Sequence, residues 1–261
     1  MSNLATNLKD AVGQHPNRPA LRLGSTTWTY AQLDELSACV AGGLLAHGLR
    51  PGDRVEIELP DVPAFPVLYY GVLRVGAIAV TKDPQRPVRE LWHRPGDTRR
   101  ARLGFTWARG ATEGVARDAT VRVPVGADFF DQLAFWPRHW AVASRSDREV
   151  AIVTETPASA GAGTVQEVAV THGTLRADAF TAAVSMDLHA HDTIPCDQPL
   201  FHAVGQAHGL NAVVLAGACL SFPASTNARP GRHGSAPAAP AARGAFSRPV
   251  QYACSYSSGG R

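Results

Sequence analysis

The sequence predicts an α/β protein in which helices flank mostly parallel strands. Two observations support this prediction. Helical stripes of apolar residues alternate along the chain with short β-branched runs, and clusters of turn-forming residues separate the two kinds of segment. The 261 residues are enough to bury roughly 70% of the surface of the unfolded chain. We place the folded domain at residues 1–223 and a low-complexity tail, which we expect to be disordered, at 224–261.

The composition is that of a globular protein, with 45% hydrophobic residues and a formal net charge of +3. Such a small positive charge does not indicate binding to nucleic acid or to an anionic membrane. We find no apolar signal core and no stretch able to span a bilayer, so we expect a cytoplasmic protein with free thiols. The four cysteines have no metal-ligand spacing: Cys39, Cys196, Cys219 and Cys254.

The first elements are a helix at residues 3–13 and a hairpin formed by residues 20–23 and 26–29. Thr29 and Gln32 have the spacing of a capping box, which predicts that a second helix begins there. An apolar stripe then runs to about His47, and it comprises Leu33, Leu36, Val40 and Leu44.

A strand and a third helix follow a Pro-Gly-Asp turn. Residues 54–59 alternate as a strand does. Asp61 is predicted to cap a helix over residues 61–73, which closes near Gly76. Residues 78–80 form a short apolar run and are predicted to be a buried strand.

The segment from 82 to 147 is rich in arginine and proline, and we interpret it as a solvated basic face. Six arginines crowd its first part: Arg86, Arg89, Arg94, Arg99, Arg100 and Arg102. Its aromatic residues could stack on bases, but their uneven spacing is more typical of a core. Seven of them raise this hypothesis: Trp92, Trp107, Phe129, Phe130, Phe135, Trp136 and Trp140.

The stretch from 149 to 220 contains the patterns that indicate function. A β-branched strand at 150–153 leads into residues 154–163, whose small side chains suit a backbone that curls round an anion. Strand-like residues return at 164–170, and Thr171 of a Thr-His pair can cap the next helix. The sequence Pro-Leu-Phe-His-Ala-Val-Gly-Gln then opens a second glycine-containing apolar segment at 199–220.

This order of strand, glycine loop, strand, Thr-His pair and Pro-Leu-Phe-His resembles the AMP-forming acyl-CoA synthetases, in the adenylate-forming ligase superfamily. Residues 1–80 add to the resemblance with Thr-Tyr-Ala-Gln-Leu, Gly-Leu-Arg-Pro-Gly-Asp-Arg-Val and Tyr-Tyr-Gly-Val-Leu-Arg-Val-Gly-Ala. The resemblance is to the amino-terminal portion of bacterial fatty-acid CoA ligases. It implies an incomplete amino-terminal domain of the ligase fold.

The glycine loop departs from the family pattern, Tyr-Thr-Ser-Gly-Thr-Thr-Gly-x-Pro-Lys-Gly. Gln166 stands in place of the lysine that holds the ATP phosphates, Glu167 replaces the last glycine and Val165 the proline. Counted back from the Thr-His pair, only Ser159 and Gly163 keep their residue types.

Counted forward from the preceding strand, Thr156 and Gly161 match instead. The resemblance implies nucleotide contacts from Ser159, Gly161, Gly163 and Thr164. The alternative is that the segment is an ordinary surface loop.

The resemblance also implies that His202 and Gly205 lie at the acyl pocket, with Phe201 and Gln206 on the same wall. The alternative is a histidine that is merely packed at the end of a strand. A metal site is a further alternative, for which the ligand types are present without a tight motif: His189, His191, His202 and His208.

By resemblance the parent enzyme uses ATP, Mg²⁺ and coenzyme A to activate a fatty acid or another carboxylate through an acyl adenylate. The later motifs of the family, including the adenylation lysine of its carboxy-terminal domain, do not occur in these residues. We therefore interpret the chain as a truncated synthetase whose activity is lost or very weak. The alternative is a non-catalytic remnant or interaction module that self-associates through exposed apolar surface.

Overall fold

The computed structural model of the protein describes residues 3–85, 101, 103–108, 121–157 and 165–223, without the side chains of 156, 157, 165 and 166. The chain divides into Met1–Asn227 and Ala228–Arg261, and the second unit lies wholly outside the described residues. The tail predicted at 224–261 and the six arginines of the predicted basic face also lie outside them. The domain boundary after residue 223 stays a prediction.

The described residues form ten strands, six α-helices and one π-helical segment. In chain order the elements are α1 (Thr6–Gln14), β1 (Pro19–Leu23), β2 (Thr26–Thr29), α2 (Tyr30–Ala46), β3 (Arg54–Glu58), α3 (Ala64–Arg74), β4 (Ile78–Thr81), β5 (Leu103–Trp107), β6 (Val121–Val125), α4 (Phe129–Leu133), β7 (Val150–Pro157), β8 (Val165–Thr171), α5 (His172–Ser185), β9 (Thr193–Pro195), the π-helical segment (Gly205–Asn211), α6 (Ala212–Ala216) and β10 (Cys219–Phe222).

The strands form two sheets. The larger sheet has the order β6-β5-β3-β4-β7-β8, and all its neighbouring strands are parallel except β7 and β8. The smaller sheet has the order β2-β1-β10-β9, in which only β1 and β2 are antiparallel. The predicted α/β class with mostly parallel strands is confirmed. No helix among the described residues is long and apolar enough to cross a membrane.

The capping box predicted for α2 is present. The Gln32 backbone N–H donates to Thr29 Oγ1 at 3.2 Å, and the Thr29 N–H donates to Gln32 Oε1 at 2.8 Å. Two of the free donors at the start of the helix are therefore satisfied reciprocally. The helix ends at Ala46, and Gly48 follows in the left-handed region with φ 76°.

The prediction that Asp61 caps the third helix is wrong. Helix α3 begins at Ala64, after Pro63, and no side chain caps it. Asp61 Oδ1 instead accepts a hydrogen bond of 2.8 Å from the backbone N–H of Leu200. The carboxylate is used by a distant loop because the helix starts three residues after it, beyond the reach of a capping contact.

Helix α3 is buried along its whole length and packs against α2 and the larger sheet. Its last residue, Arg74, is fully buried and forms an ion pair with Asp34. Arg74 also donates to Ser37 Oγ at 2.9 Å and to the Trp140 carbonyl at 2.8 Å. A buried guanidinium requires such partners, since an unpaired buried charge is strongly destabilising.

The aromatic residues of the 82–147 segment only partly follow the prediction that they belong to the core. Phe129 is buried, and three others pack against the core: Trp107, Phe130 and Trp136. Phe135 and Trp140 depart from the prediction, with exposed fractions of 88% and 48%. Trp92 lies outside the described residues.

Candidate functional site

The candidate site lies at the carboxyl end of β4, beside the part of β7 where its parallel pairing with β4 ends. Thr81 ends β4 and lies directly opposite Thr154 of β7. Both threonines are buried, with exposed fractions of 0% and 1%. In open α/β sheets, ligands bind outside the carboxyl ends of the strands, so this edge is the expected place for a site.

The two threonines bind the same acceptor. Thr81 Oγ1 and Thr154 Oγ1 each donate a hydrogen bond of 2.8 Å to the carbonyl oxygen of Phe201. A carbonyl oxygen has two lone pairs, so these two donors saturate it. The sheet edge is thereby tied to the Pro-Leu-Phe-His segment.

Gln206 makes a third connection. Its Nε2 donates to Thr81 Oγ1 at 3.0 Å, and its Oε1 is buried without a hydrogen-bond partner among the described residues. The backbone carbonyl of Gln206 accepts a hydrogen bond of 2.8 Å from Asn211 Nδ2. These residues lie in the π-helical segment, a conformation that occurs frequently at functional sites.

His202 and Gly205 lie in the turn between the two attachments. The His202 N–H donates to the Pro199 carbonyl and its own carbonyl accepts from the Gln206 N–H, both at 3.1 Å. The imidazole lies 4.4 Å from the Phe201 ring, centroid to centroid. A Cβ at Gly205 would come within 2.2 Å of the Pro199 oxygen, so only glycine fits there. Their assignment to an acyl pocket stays a prediction.

The predicted nucleotide contacts Ser159, Gly161, Gly163 and Thr164 lie outside the described residues. The structure describes the β7–β8 hairpin that carries this loop. Its last register pair before the loop is Pro157 with Val165.

The described strands beside this loop carry two carboxylates. Gln166, in the position of the family's lysine, lies in β8 opposite Thr156. Glu155 and Glu167 lie opposite each other one position further from the loop. Arg54 reaches Glu167 with an N–O distance of 2.9 Å, so its positive charge is directed to a carboxylate.

The Thr-His pair has a structural role at the start of α5. Thr171 Oγ1 accepts from the Thr174 N–H at 3.2 Å, which confirms the predicted cap of α5. His172 is buried, and its Nδ1 accepts from the Leu4 N–H at 3.1 Å. Burial, with a smaller effect of the nearby Arg145, lowers the pKa of His172 from 6.5 to about 4. His172 is therefore a neutral acceptor that ties the amino-terminal residues to α5.

The described parts of the chain hold no group of three or more His, Cys, Asp or Glu side chains that could bind a metal ion. His191, one of the four candidate ligands, contacts Arg18 through Nδ1 at 2.7 Å. Its partner is therefore a guanidinium, and a cation at this position is unfavourable for metal binding.

Thr81 and Thr154 are the site residues that the sequence interpretation missed. A signal was available, because β4 reads Ile-Ala-Val-Thr and residues 151–154 read Ala-Ile-Val-Thr. Each apolar run ends in a hydroxyl side chain. Their proximity becomes visible only when β4 and β7 are known to be neighbours.

A mostly parallel sheet with a glycine-containing turn tied to its carboxyl edge is the arrangement of an open α/β domain, a class that binds ligands at this edge. The family model described as AMP-binding enzyme matches residues 8–234, and the chain belongs to this family. The predicted resemblance to AMP-forming acyl-CoA synthetases is thereby confirmed.

Two curated relatives illustrate the extent of the match. The feruloyl-CoA synthase of Amycolatopsis sp is 31% identical over 189 residues, which cover 72% of this chain and 37% of that protein. The long-chain-fatty-acid–CoA ligase of Escherichia coli O157:H7 is 32% identical over 97 residues, which cover 37% of this chain and 17% of that protein. The chain thus spans well under half the length of these relatives.

Solved structures show the same fold. Apo MatB from Rhodopseudomonas palustris aligns with a TM-score of 0.72 and 20% identity, covering 85% of this chain and 45% of MatB. The N-terminal domain of FACL13 from Mycobacterium tuberculosis aligns with a TM-score of 0.73 and 22% identity, covering 85% of this chain and 57% of that domain. The described elements therefore correspond to the amino-terminal part of the ligase fold.

Proposed function

We propose that this chain is the amino-terminal portion of an AMP-forming acyl-CoA synthetase and that, by itself, it binds a carboxylate substrate without activating it. The parent reaction joins ATP and a fatty acid or other carboxylate into an acyl adenylate, which coenzyme A then converts to a thioester. The observation that carries the proposal is the contrast between two parts of one sheet edge. The Phe201–Gln206 turn is held at three points, whereas the hairpin that should hold phosphate carries carboxylates.

The loss of activation follows from charge. ATP phosphates and a carboxylate repel each other, so their reaction requires positive charge at the point of attack. Gln166 is neutral where the family has a lysine. A hydrogen bond to a charged group contributes roughly 1.5–3 kcal/mol, so this change alone lowers affinity or rate about tenfold to a hundredfold. Glu155 and Glu167 add negative charge at the base of the same hairpin.

The carboxylate assignment rests on the turn that contains His202. The named relatives, a feruloyl-CoA synthase and a long-chain-fatty-acid–CoA ligase, both act on carboxylic acids. His202 can donate a hydrogen bond to an anionic oxygen, and Gly205 allows the backbone to approach closely. We assign both residues to substrate binding. ATP, Mg²⁺ and coenzyme A belong to the parent reaction.

The experiment combines a catalytic and a binding measurement on the purified full chain. We expect no pyrophosphate exchange above background with ATP and medium or long fatty acids, and no rescue by Gln166→Lys alone. Titration calorimetry should detect binding of sodium dodecanoate, weakened by His202→Ala. Turnover that His202→Ala abolishes would contradict the loss of activation. Equal binding by the native chain and His202→Ala would contradict the carboxylate site.

A second candidate function is self-association through apolar surface. Phe180 and Val184 lie four residues apart on α5, and thus on one helix face, with exposed fractions of 61% and 64%. Sedimentation velocity at increasing concentration tests this candidate. Phe180→Lys should shift an oligomer toward monomer, while Ser185→Lys on the same helix should not. A monomer at all concentrations would rule out self-association.

A further inference from the structure

We propose that Thr81 and Thr154 are positioning residues that orient His202 for carboxylate binding. The inference rests on the proposed function, since it assigns His202 to the substrate. It concerns the two hydroxyl groups that hold the turn at the Phe201 carbonyl.

Thr81 and Thr154 share one acceptor, the carbonyl oxygen of Phe201. Thr81 and Thr154 are register partners on parallel strands, so their side chains point to the same face of the sheet. Each donates a hydrogen bond of 2.8 Å to the carbonyl oxygen of Phe201, the residue directly before His202. Two donors from two strands fix this carbonyl in direction as well as in distance.

The other end of the turn, at Gln206, is also bound to the sheet. Gln206 binds Thr81 Oγ1 at 3.0 Å, so a single threonine is linked to both ends of the Phe201–Gln206 turn. Between these ends, the backbone of His202 is hydrogen-bonded on both sides, to Pro199 and to Gln206. The backbone from which the imidazole projects is therefore held by the attachment of the turn to the sheet.

The composition of this polar cluster also departs from its surroundings. The residues that precede the two threonines are Val80 and Val153, and valine has the shape of threonine without the hydroxyl. The two threonines thus end the apolar runs with hydroxyl groups, both of which are bound to Phe201. The cluster also leaves Gln206 Oε1 buried without a partner among the described residues. Such departures from the best local choice occur at functional sites.

The test uses matched substitutions in the full chain. Thr154→Val and Thr81→Val keep the shape and remove the hydroxyl, whereas Thr154→Ser and Thr81→Ser keep the hydroxyl and remove a methyl group. Thr106→Val, at the end of β5 in the same sheet, is the control. Three properties are measured: the NMR signal of the His202 imidazole, the affinity for sodium dodecanoate and the melting temperature. The His202→Ala variant assigns the NMR signal.

We expect the valine variants to shift the His202 signal and to bind dodecanoate about tenfold more weakly. The serine variants should keep both properties of the native chain even where their melting temperature falls. Valine variants with an unchanged His202 signal, or serine variants as impaired as valine, would overturn the proposal. If the native chain binds no dodecanoate, the proposed function fails, and the His202 signal alone still decides whether the threonines position this residue.

Discussion

Asp61 and Leu200 are joined across 139 positions of the chain by a hydrogen bond of 2.8 Å from the Leu200 N–H to Asp61 Oδ1. The bond connects the segment before α3 to the turn that carries His202. Burial raises the pKa of Asp61, the Leu200 bond opposes this, and the nearby Asp83 adds to the rise. The carboxylate therefore ends with a pKa above its ordinary value of 3.8.

The first prediction concerns Asp61→Asn. A carboxyl whose pKa is raised on folding favours the folded state below its unfolded pKa, and this contribution is lost as pH rises through the folded pKa. In this variant the asparagine side-chain oxygen can still accept the hydrogen bond from the Leu200 N–H, and the side chain does not titrate. We expect Asp61→Asn to be at least as stable as the native chain at pH 7. Asp61→Ala should lose about 1–3 kcal/mol, because the Leu200 donor is left unpaired. Urea unfolding at pH 4 and pH 7 measures both effects, and equal losses in the two variants would refute the account.

The second prediction concerns His172, whose pKa is lowered to about 4. The unfolded state binds a proton near pH 6.5 and the folded state does not, so stability is present above pH 6.5 and is lost as pH falls toward 4. The loss amounts to at most about 3 kcal/mol. His172→Asn should flatten the stability profile between pH 4 and 7, whereas His47→Asn, an exposed control, should not. A native melting temperature that is constant over this range would contradict the prediction.

The third prediction tests the close packing of α2 and α3. A Cβ at Gly71 would lie 2.4 Å from Val40 Cγ1, so Gly71→Ala should cost about 1–3 kcal/mol in unfolding free energy. Gly13, at the end of α1, has open space around it, and Gly13→Ala should stabilise by about 0.5–1 kcal/mol. Denaturant unfolding measures both. Adding Val40→Ala to Gly71→Ala should recover little of the loss, because the Val40 Cβ, 2.5 Å from the added Cβ, stays in place; full recovery would argue against this contact.

The fourth prediction concerns the end of α5. Asp187 adopts φ 51°, a left-handed conformation that favours glycine, and Leu188 N donates to the Ala183 carbonyl at 2.9 Å. Asp187→Gly should therefore raise the unfolding free energy by about 0.5–1 kcal/mol. Asp178→Gly, inside the same helix, should lower it by about 1 kcal/mol. Thermal melts of the two variants should move in opposite directions, and shifts of the same sign would disprove the assignment.

Local patterns were sufficient to predict the capping box of α2, the Thr171 cap of α5 and the alternation of helices and strands. Thr29 and Gln32 are three residues apart, so their bond is readable from the sequence. The bond between Asp61 and Leu200 is not readable, because it depends on two distant segments being brought together by the sheet. Thr81 and Thr154 were missed for the same reason, because they come together only in the sheet. His202 was placed in a candidate site because the Pro-Leu-Phe-His motif is local. The π-helical segment was also missed, since apolar periodicity does not distinguish it from an α-helix over seven residues.

The parallel pairing of β1 with β10 has a consequence for synthesis on the ribosome. Leu21 is paired with Leu220, a residue translated about 200 positions later. At roughly 5–20 residues per second, β10 emerges about 10–40 s after β1. During that interval one edge of the β1–β2 hairpin lacks its native neighbour, and an open edge can pair with other chains. This edge of the nascent polypeptide therefore stays open until residue 222 has left the exit tunnel.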